Sequence, residues 1–274
     1  MSSGFRRGCR RSAGTGTRSP ARSPTSTSRN KARAAIKELL AEHEYKSLAD
    51  ERLPNWADAI RSSALLKKKY PDMAMWHYID VDVDVPLDKL KLADYVKDGK
   101  CAPDALKRFR AILKDTTQPI QDRREALFFI AHIVGDLHQP LHCAERDKDK
   151  GGNLVRVQVP GEAGRASNLH SVWDGRMVKA ALGELTVDDF VARRTAALTA
   201  EKRKEYQRGT VEDWVLEGNK LAREKVYKDQ GEKVPADGTH TLSDAYLRED
   251  GQVIHAQLVK AGVRLAQFLN DTFE

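Results

Sequence analysis

Two copies of the pattern His-x-x-x-Asp, with a further histidine between them, occur between residues 132 and 174. The first copy is His132 with Asp136, the second is His170 with Asp174, and His142 lies between them. Residues four positions apart project from the same face of a helix, so each pair can reach one metal ion. Imidazole nitrogens and carboxylate oxygens suit zinc in hydrolytic sites, where one coordination position stays open for water. The pattern therefore predicts a metal-dependent hydrolase.

The first pair falls within the most apolar helical stretch of the chain. A buried carboxylate such as Asp136 is costly unless it is paired or bound to a cation. Taken alone, the pair is also consistent with a structural hydrogen bond, to a backbone group or to His138. The second pair and His142 favour metal binding. His138 is predicted to point away from the His132–Asp136 face, because it lies about 200° further around the helix.

Apolar residues at helical spacing predict a mainly α-helical fold, with one domain over residues 31–274. Helical stretches are predicted at residues 31–43, 50–70, 103–114, 122–138, 168–182, 186–199, 201–228 and 251–270. The stretch 122–138 is apolar nearly all round, so we expect it to be central and buried. Gly151-Gly152-Asn153, followed by alternating residues at 154–159, predicts a turn and a strand. A strand this short would form a small β-hairpin on the helical body.

Residues 1–30 differ in composition from the rest of the chain. They contain seven arginines, no acidic residue and almost no aliphatic side chain, which predicts a disordered basic tail. The whole chain has 47 basic and 40 acidic residues, so it is formally neutral without this tail. The net charge of +7 therefore does not establish a basic nucleic-acid-binding surface on the domain. No apolar run approaches the roughly 20 residues of a membrane-spanning helix, so no membrane span is predicted.

Five segments of the chain, in the same order, resemble the S1/P1 nuclease family. They are Asn-Trp-Ala-Asp-Ala-Ile-Arg (55–61), Trp-His-Tyr-Ile-Asp (76–80), Ala-His-Ile-Val-Gly-Asp-Leu-His-Gln-Pro-Leu-His (131–142), Gly-Gly-Asn (151–153) and Asn-Leu-His-Ser-Val-Trp-Asp (168–174). The resemblance covers about residues 31–274. It implies a mostly helical fold, shared with zinc-dependent phospholipase C, and a cluster of three zinc ions. Members hydrolyse single-stranded DNA and RNA to 5′-phosphate products, and many remove 3′-phosphates from nucleotides.

The resemblance also implies a role for each matching residue. The metal ligands would be Asp58, His77, His132 and Asp136 at one zinc, with Asp136 bridging to a second, and His142, His170 and Asp174 at another. Asp80 would orient the attacking water and is the implied catalytic residue. Tyr78 would stack on a base, and Asn153 would contact the substrate near the scissile phosphate. The implied partners are single-stranded DNA, RNA or 3′-nucleotides, and no protein partner is implied.

The chain departs from the family at its start. The family pattern Trp-Gly-x-x-Gly-His binds the third zinc, but here no Trp precedes Trp56 and no His precedes His43. Only Asp136 would remain for that ion, whereas zinc prefers four ligands. We therefore expect two well-formed zinc sites, a third that is empty or weak, and activity that is reduced or lost. A shifted reading frame across residues 12–24 permits Gly-x-x-Gly-His, which suggests the hypothesis that the tail is translated out of frame.

Two other functions are compatible with this sequence. One is a zinc-dependent phospholipase C, which would attack a lipid phosphodiester. The other is an inactive relative that binds zinc or nucleotides without hydrolysing them. The segments Trp-His-Tyr-Ile-Asp and Gly-Gly-Asn favour the nuclease. The family is typically secreted or periplasmic, but this N-terminus shows no apolar export signal, so localisation is not predicted.

Overall fold

The computed structural model describes residues 24–50, 52–96, 99–161, 167–228 and 238–274. The first helix, α1 (Pro24–Leu40), begins seven residues before the predicted domain start at residue 31. Residues 24–30 are therefore helical, whereas a disordered tail was predicted for them. Proline suits a first helical turn, because its φ is fixed near the helical value. The rest of the predicted tail, and the out-of-frame hypothesis that concerns it, lie outside the described residues.

Helices make up most of the described chain, as predicted. The first half contains α2 (Arg52–Ala59), α3 (Ala64–Lys69), α4 (Ala102–Lys114) and α5 (Ile120–Asp136). The second half contains α6 (Leu169–Ser171), a π-helical turn (Val172–Arg176), α7 (Met177–Leu182), α8 (Val187–Ala197), α9 (Ala200–Tyr206), α10 (Val211–Leu221), a second π-helical turn (Ala222–Val226) and α11 (Asp244–Thr272). Of the helices described, none is both long and apolar enough to cross a bilayer.

Helix α5 is the central helix, as its composition predicted. Residues 126–130 are fully buried, and the helix packs against α4, α2 and α11. The ring of Phe129 stacks on Phe109 of α4, with centroids 4.4 Å apart, and Trp76 packs against both rings edge-on. Burying one such side chain stabilises the fold by about 1.5–3 kcal/mol. This core therefore fixes the position of α5 and of the polar residues at its end.

A second core lies beside a small sheet. Its buried members include Leu169, Trp173 and Tyr246. The described strands are β1 (Arg156–Gln158), β2 (Ser167–Asn168) and β3 (Thr239–Thr241), in the order β2-β1-β3. The β1–β2 pair is antiparallel, which confirms the predicted hairpin, whereas β3 joins β1 in parallel. The sequence did not predict β3, because three residues are too few to show a strand period.

The two cores meet at the polar end of α5. That helix belongs to the first core, whereas Leu169 and Trp173, from the segment after β2, belong to the second. A 3₁₀ turn, Pro140–Cys143, leads from α5 into the second core. The side chains from these elements line a single cavity at the junction.

Candidate metal centre

Helix α5 presents its His-x-x-x-Asp pair at its C-terminal end. His132 Nε2 lies 3.1 Å from Asp136 Oδ2, one helical turn further along. On the other side of the ring, Nδ1 of His132 contacts the carbonyl oxygen of Pro54 from α2. A carbonyl oxygen can only accept a hydrogen bond, so Nδ1 carries a proton, and Nε2 is turned towards Asp136. The pair is therefore oriented to share a cation.

Two residues from the first half of the chain join this pair. His77 ends the 3₁₀ turn Met73–His77, and its Nδ1 lies 2.8 Å from His132 Nε2 and 3.0 Å from Asp136 Oδ2. Asp58 on α2 approaches with Oδ1 3.9 Å from His77 Nδ1 and Oδ2 3.8 Å from His132 Nε2. We call Asp58, His77, His132 and Asp136 the first ligand group.

The charges of this group are strongly coupled. Burial raises the pKa of Asp136, but the positive charge of His142 and hydrogen bonds from His132 and His77 outweigh it, holding that pKa well below its usual range. Burial lowers the pKa of His132, but contacts with Asp136 outweigh it and leave the pKa raised. A carboxylate that stays ionised while buried among imidazoles is a ready cation ligand.

The second ligand group consists of His142, His170 and Asp174. His142 lies in the 3₁₀ turn after α5, and its Nε2 is 3.5 Å from Asp174 Oδ1. His170 lies on α6, and its Nε2 is 3.1 Å from Asp174 Oδ2. Asp174 lies on the π-helical turn that follows α6. Gln139 supports it, because Nε2 of Gln139 donates to Asp174 Oδ1 at 2.7 Å.

Backbone carbonyls also orient the histidines of the second group. Nδ1 of His142 donates to the carbonyl oxygen of His77 at 2.8 Å, and Nδ1 of His170 donates to that of Gly151 at 2.7 Å. Each Nε2 is thus turned towards Asp174. Burial lowers the pKa of His142, but the charges of Asp136 and Asp174 outweigh it and raise that pKa to about 9. Burial raises the pKa of Asp174, but hydrogen bonds from His142 and His170 hold it below its usual range.

Asp136 lies between the two groups. Its Oδ2 is 3.9 Å from His142 Nδ1 while it also contacts both histidines of the first group. The segments that carry His77 and His142 are joined directly by a backbone hydrogen bond from Ile79 N to the carbonyl oxygen of His142, at 2.9 Å. The two groups are therefore neighbours, and the carboxylate of Asp136 lies between them.

The donor atoms suit a small divalent ion such as zinc. Ligands arranged tetrahedrally about 2.0–2.2 Å from zinc lie about 3.3–3.6 Å from one another. In the first group, the closest contacts of His77 and His132 with each other and with the two carboxylates span 2.8 to 3.9 Å. Asp58, His77 and His132 form one set of mutually close donor atoms, and His142, His170 and Asp174 form another. Nitrogen and carboxylate oxygen donors at these spacings fit two metal sites.

The remaining predicted residues, Tyr78, Asp80 and Asn153, line the same cavity of about 1110 Å³. Tyr78 is half-buried, and its pKa is raised by burial and by the negative charges of Asp80 and Glu145. Asn153 is exposed, and its Nδ2 donates to the carbonyl oxygen of Lys150 at 2.9 Å. The structure thus gathers all ten residues singled out from the sequence around one cavity.

Arg61 also lines the cavity, and the sequence did not identify it as functional. Its Nη1 lies 3.4 Å from Asp58 Oδ1, and its side chain is 54% exposed. The spacing Asp58-x-x-Arg61 could have indicated that Arg61 lies beside Asp58, because residues three apart share a helix face. That spacing also occurs in ordinary surface ion pairs. Here it places a guanidinium, which suits a phosphate group, beside the first ligand group.

Comparison with known proteins gives a consistent result. A model of the S1/P1 nuclease family matches residues 25–274. The chain is 28% identical to Endonuclease 2 of Arabidopsis thaliana over 259 residues, which cover 87% of this chain and 82% of that protein. It is 27% identical to Nuclease S1 of Aspergillus oryzae over 235 residues, covering 78% and 76% of the two chains.

A third relative shows similar coverage. The chain is 25% identical to Nuclease P1 of Penicillium citrinum over 238 residues, which cover 80% of this chain and 83% of that protein. The family match spans nearly the whole described chain, including both ligand groups and the cavity between them. The chain therefore belongs to the S1/P1 nuclease family and is a hydrolase that acts on ester bonds of nucleic acids.

Proposed function

We propose that this protein is a zinc-dependent nuclease that hydrolyses single-stranded DNA and RNA to 5′-phosphate products and removes 3′-phosphates from nucleotides. The observation that carries the proposal is the pair of ligand groups in the wall of one cavity, with Asp136 between them. Asp58, His77, His132 and Asp136 would hold one zinc ion. His142, His170 and Asp174 would hold another. The family match and the nuclease relatives support the same chemistry.

Residues of the chain itself would prepare the phosphodiester for attack. Zinc supplies a water activated near neutral pH and positive charge that polarises the phosphate. Arg61 would donate hydrogen bonds to phosphate oxygens and neutralise part of the charge that develops on them. Asp80 would accept a hydrogen bond from the attacking water and hold it in line. Asn153, in the cavity wall beside Gly151 and Gly152, would donate to the substrate near the scissile bond.

Tyr78 would give the preference for single strands. Its half-buried ring lines the cavity near Asp80, where it would offer a face to an unpaired base. Stacking of a base on an aromatic ring contributes about 1–3 kcal/mol and tolerates any sequence. A base within a duplex must first leave its stack, which costs a few kcal/mol. A duplex should therefore be cleaved roughly 10–100-fold more slowly than a single strand.

Chelation provides the test of this proposal. The purified chain is incubated with single-stranded DNA, single-stranded RNA and a 3′-nucleotide, before and after treatment with a chelator. We expect hydrolysis to stop after chelation and to return when zinc is added, since the ligand groups hold the ion that activates water. Mass spectrometry of the fragments should show 5′-phosphate ends.

Two outcomes would contradict the proposal. Hydrolysis of phosphatidylcholine vesicles without hydrolysis of nucleic acid would favour a phospholipase C. Bound zinc with no chelator-sensitive hydrolysis of either substrate would favour an inactive zinc- or nucleotide-binding relative. Heat-treated protein serves as the control for contaminating nuclease in both assays.

A further inference from the structure

A buried polar cluster lies beside the second ligand group without belonging to it. It consists of Arg146, Asp149 and Tyr227, with 7%, 8% and 4% of their surfaces exposed. The Tyr227 hydroxyl donates to Asp149 Oδ2 at 2.8 Å, and the guanidinium of Arg146 lies 4.2 Å from the centre of the Tyr227 ring. Burial and the charge of Asp149 raise the pKa of Tyr227, so its hydroxyl stays a donor. We call these three residues the buried clamp.

The clamp holds a loop whose backbone is unfavourable by itself. Asp147, Lys148 and Lys150 have φ values of 49°, 61° and 56°, in the left-handed region that non-glycine residues avoid. Asp149, in the middle of this loop, accepts a hydrogen bond from Arg146 N at Oδ1. Its other carboxylate oxygen is held by Tyr227. One side chain therefore joins the loop to itself and to the rest of the fold.

The same loop continues directly to a metal ligand. The carbonyl oxygen of Gly151 accepts from His170 Nδ1 at 2.7 Å, and that of Gly152 accepts from His170 N at 3.3 Å. Gly151 has a φ of +59°, and a Cβ atom there would lie 2.5 Å from the carbonyl oxygen of Leu141. The loop therefore packs closely between His170 and the turn that carries His142. A shift of the loop would move the carbonyl that orients His170.

Tyr227 reaches the loop from a distant part of the chain. It follows the π-helical turn Ala222–Val226, and its N–H donates to the carbonyl oxygen of Ala222 at 2.9 Å. A π-helical turn inserts one residue relative to an α-helix and so changes which side chain faces inward. The turn thus places the phenol ring of Tyr227 so that its hydroxyl donates to the carboxylate of Asp149.

We infer that the buried clamp is a positioning device for the second ligand group: Tyr227 holds Asp149, Asp149 holds the loop, and the loop fixes the imidazole of His170. The inference rests on the proposed function, because it takes His170 to be a zinc ligand. Residues that orient a metal ligand affect metal affinity by about 10–100-fold when they are changed. Loss of the buried clamp should therefore weaken the binding of one zinc ion and leave the binding of the other unchanged.

Tyr227→Phe tests the inference, because it removes only the hydroxyl. Zinc is titrated into the metal-free full chain, and the affinity of each ion is measured. One of the two ions should bind about 10-fold less tightly in the variant, and the other should be unchanged. Asp149→Asn should have the same effect. The double variant should be no worse than Asp149→Asn alone, since both changes break one connection.

Tyr70→Phe is the matched control, because Tyr70 also donates its hydroxyl to a buried carboxylate, that of Glu125 in the first core. It should leave both zinc affinities unchanged even where its melting temperature falls as far as that of Tyr227→Phe. Wild-type zinc affinities in Tyr227→Phe and Asp149→Asn would overturn the inference and leave the proposed function standing. A wild-type chain that binds no zinc would overturn both.

Discussion

At the residue scale, the metal centre depends on the orientation of imidazole rings. Nδ1 of His132, His142 and His170 each contacts a carbonyl oxygen from another segment, which leaves Nε2 facing the ligand group. His77 is turned the other way: its Nδ1 faces the first group. Within the described residues, its buried Nε2 has no hydrogen-bond partner. Fixed rings reduce the entropy that a metal site must lose when it binds an ion.

The sequence could predict part of this arrangement. The spacing of His132 from Asp136 and of His170 from Asp174 was enough to place each pair on one face. The carbonyl oxygens that orient the rings were not predictable, because they come from segments distant in the sequence. Arg61 was missed since its spacing from Asp58 matches any helical ion pair. That Asp58 and His77 would lie at the same site was predicted from the resemblance to the S1/P1 nuclease family and not from their spacing.

Asp80→Asn tests the role proposed for that carboxylate. If Asp80 orients the attacking water, kcat should fall by about 10²–10⁴-fold. KM should change little, and the loss should be equal for substrates with different bases. Steady-state kinetics on four single-stranded homopolymers would measure both parameters.

Asp82→Asn is the control for Asp80→Asn. Asp82 lies two residues further along the same segment and caps a turn there, with Oδ1 accepting from Asp84 N. We expect wild-type kinetics for this variant. A change in base preference in Asp80→Asn, with kcat retained on some bases, would contradict the water-orienting role. It would indicate instead that Asp80 contacts the base beside Tyr78.

At the scale of elements, burial was more predictable than local irregularity. Apolar residues all around α5 predicted a central helix, and residues 126–130 are fully buried. Neither π-helical turn was predictable, because an inserted residue leaves only a small change in a helical pattern. The first of these turns nonetheless carries Asp174, and the second immediately precedes Tyr227. Strand β3 was equally unpredictable, since its pairing with β1 is a tertiary contact.

The packing of α10 against α11 gives a pH-dependent prediction. Glu217 on α10 contacts Lys260 Nζ and lies 2.7 Å from Arg264 Nη2, both on α11. Burial raises the pKa of Glu217, but these cations outweigh it and leave the pKa below its usual value. A depressed pKa in the folded state stabilises the fold at higher pH, and this contribution is lost as the pH falls through that pKa.

Glu217→Gln should therefore lower the free energy of unfolding at pH 7 by about 1–3 kcal/mol. The difference from wild type should shrink as the pH falls below the ordinary glutamate pKa of about 4.3 and on towards the lower pKa of the folded state. Urea unfolding at pH 7 and at pH 3.5 would measure it. Glu205→Gln removes an exposed pair with Lys202 and should leave the free energy of unfolding close to that of wild type at both pH values. A difference for Glu217→Gln that is independent of pH would contradict this account.

At the scale of the whole molecule, the metal centre depends on contacts between two cores. The first ligand group lies at the polar end of α5, and the second is carried by elements that pack in the other core. The buried clamp extends this dependence, because Tyr227 and Asp149 are 78 residues apart in the sequence. A mainly helical fold was predictable from apolar periodicity. The meeting of its two halves at one cavity depends on tertiary packing that no local pattern encodes.

We expect this fold to build two adjacent zinc sites around Asp136. The most direct test is the zinc content of the full chain, measured by elemental analysis after dialysis against zinc-free buffer. We expect two zinc ions per chain. A chain that retains no zinc, or only one ion, would contradict it.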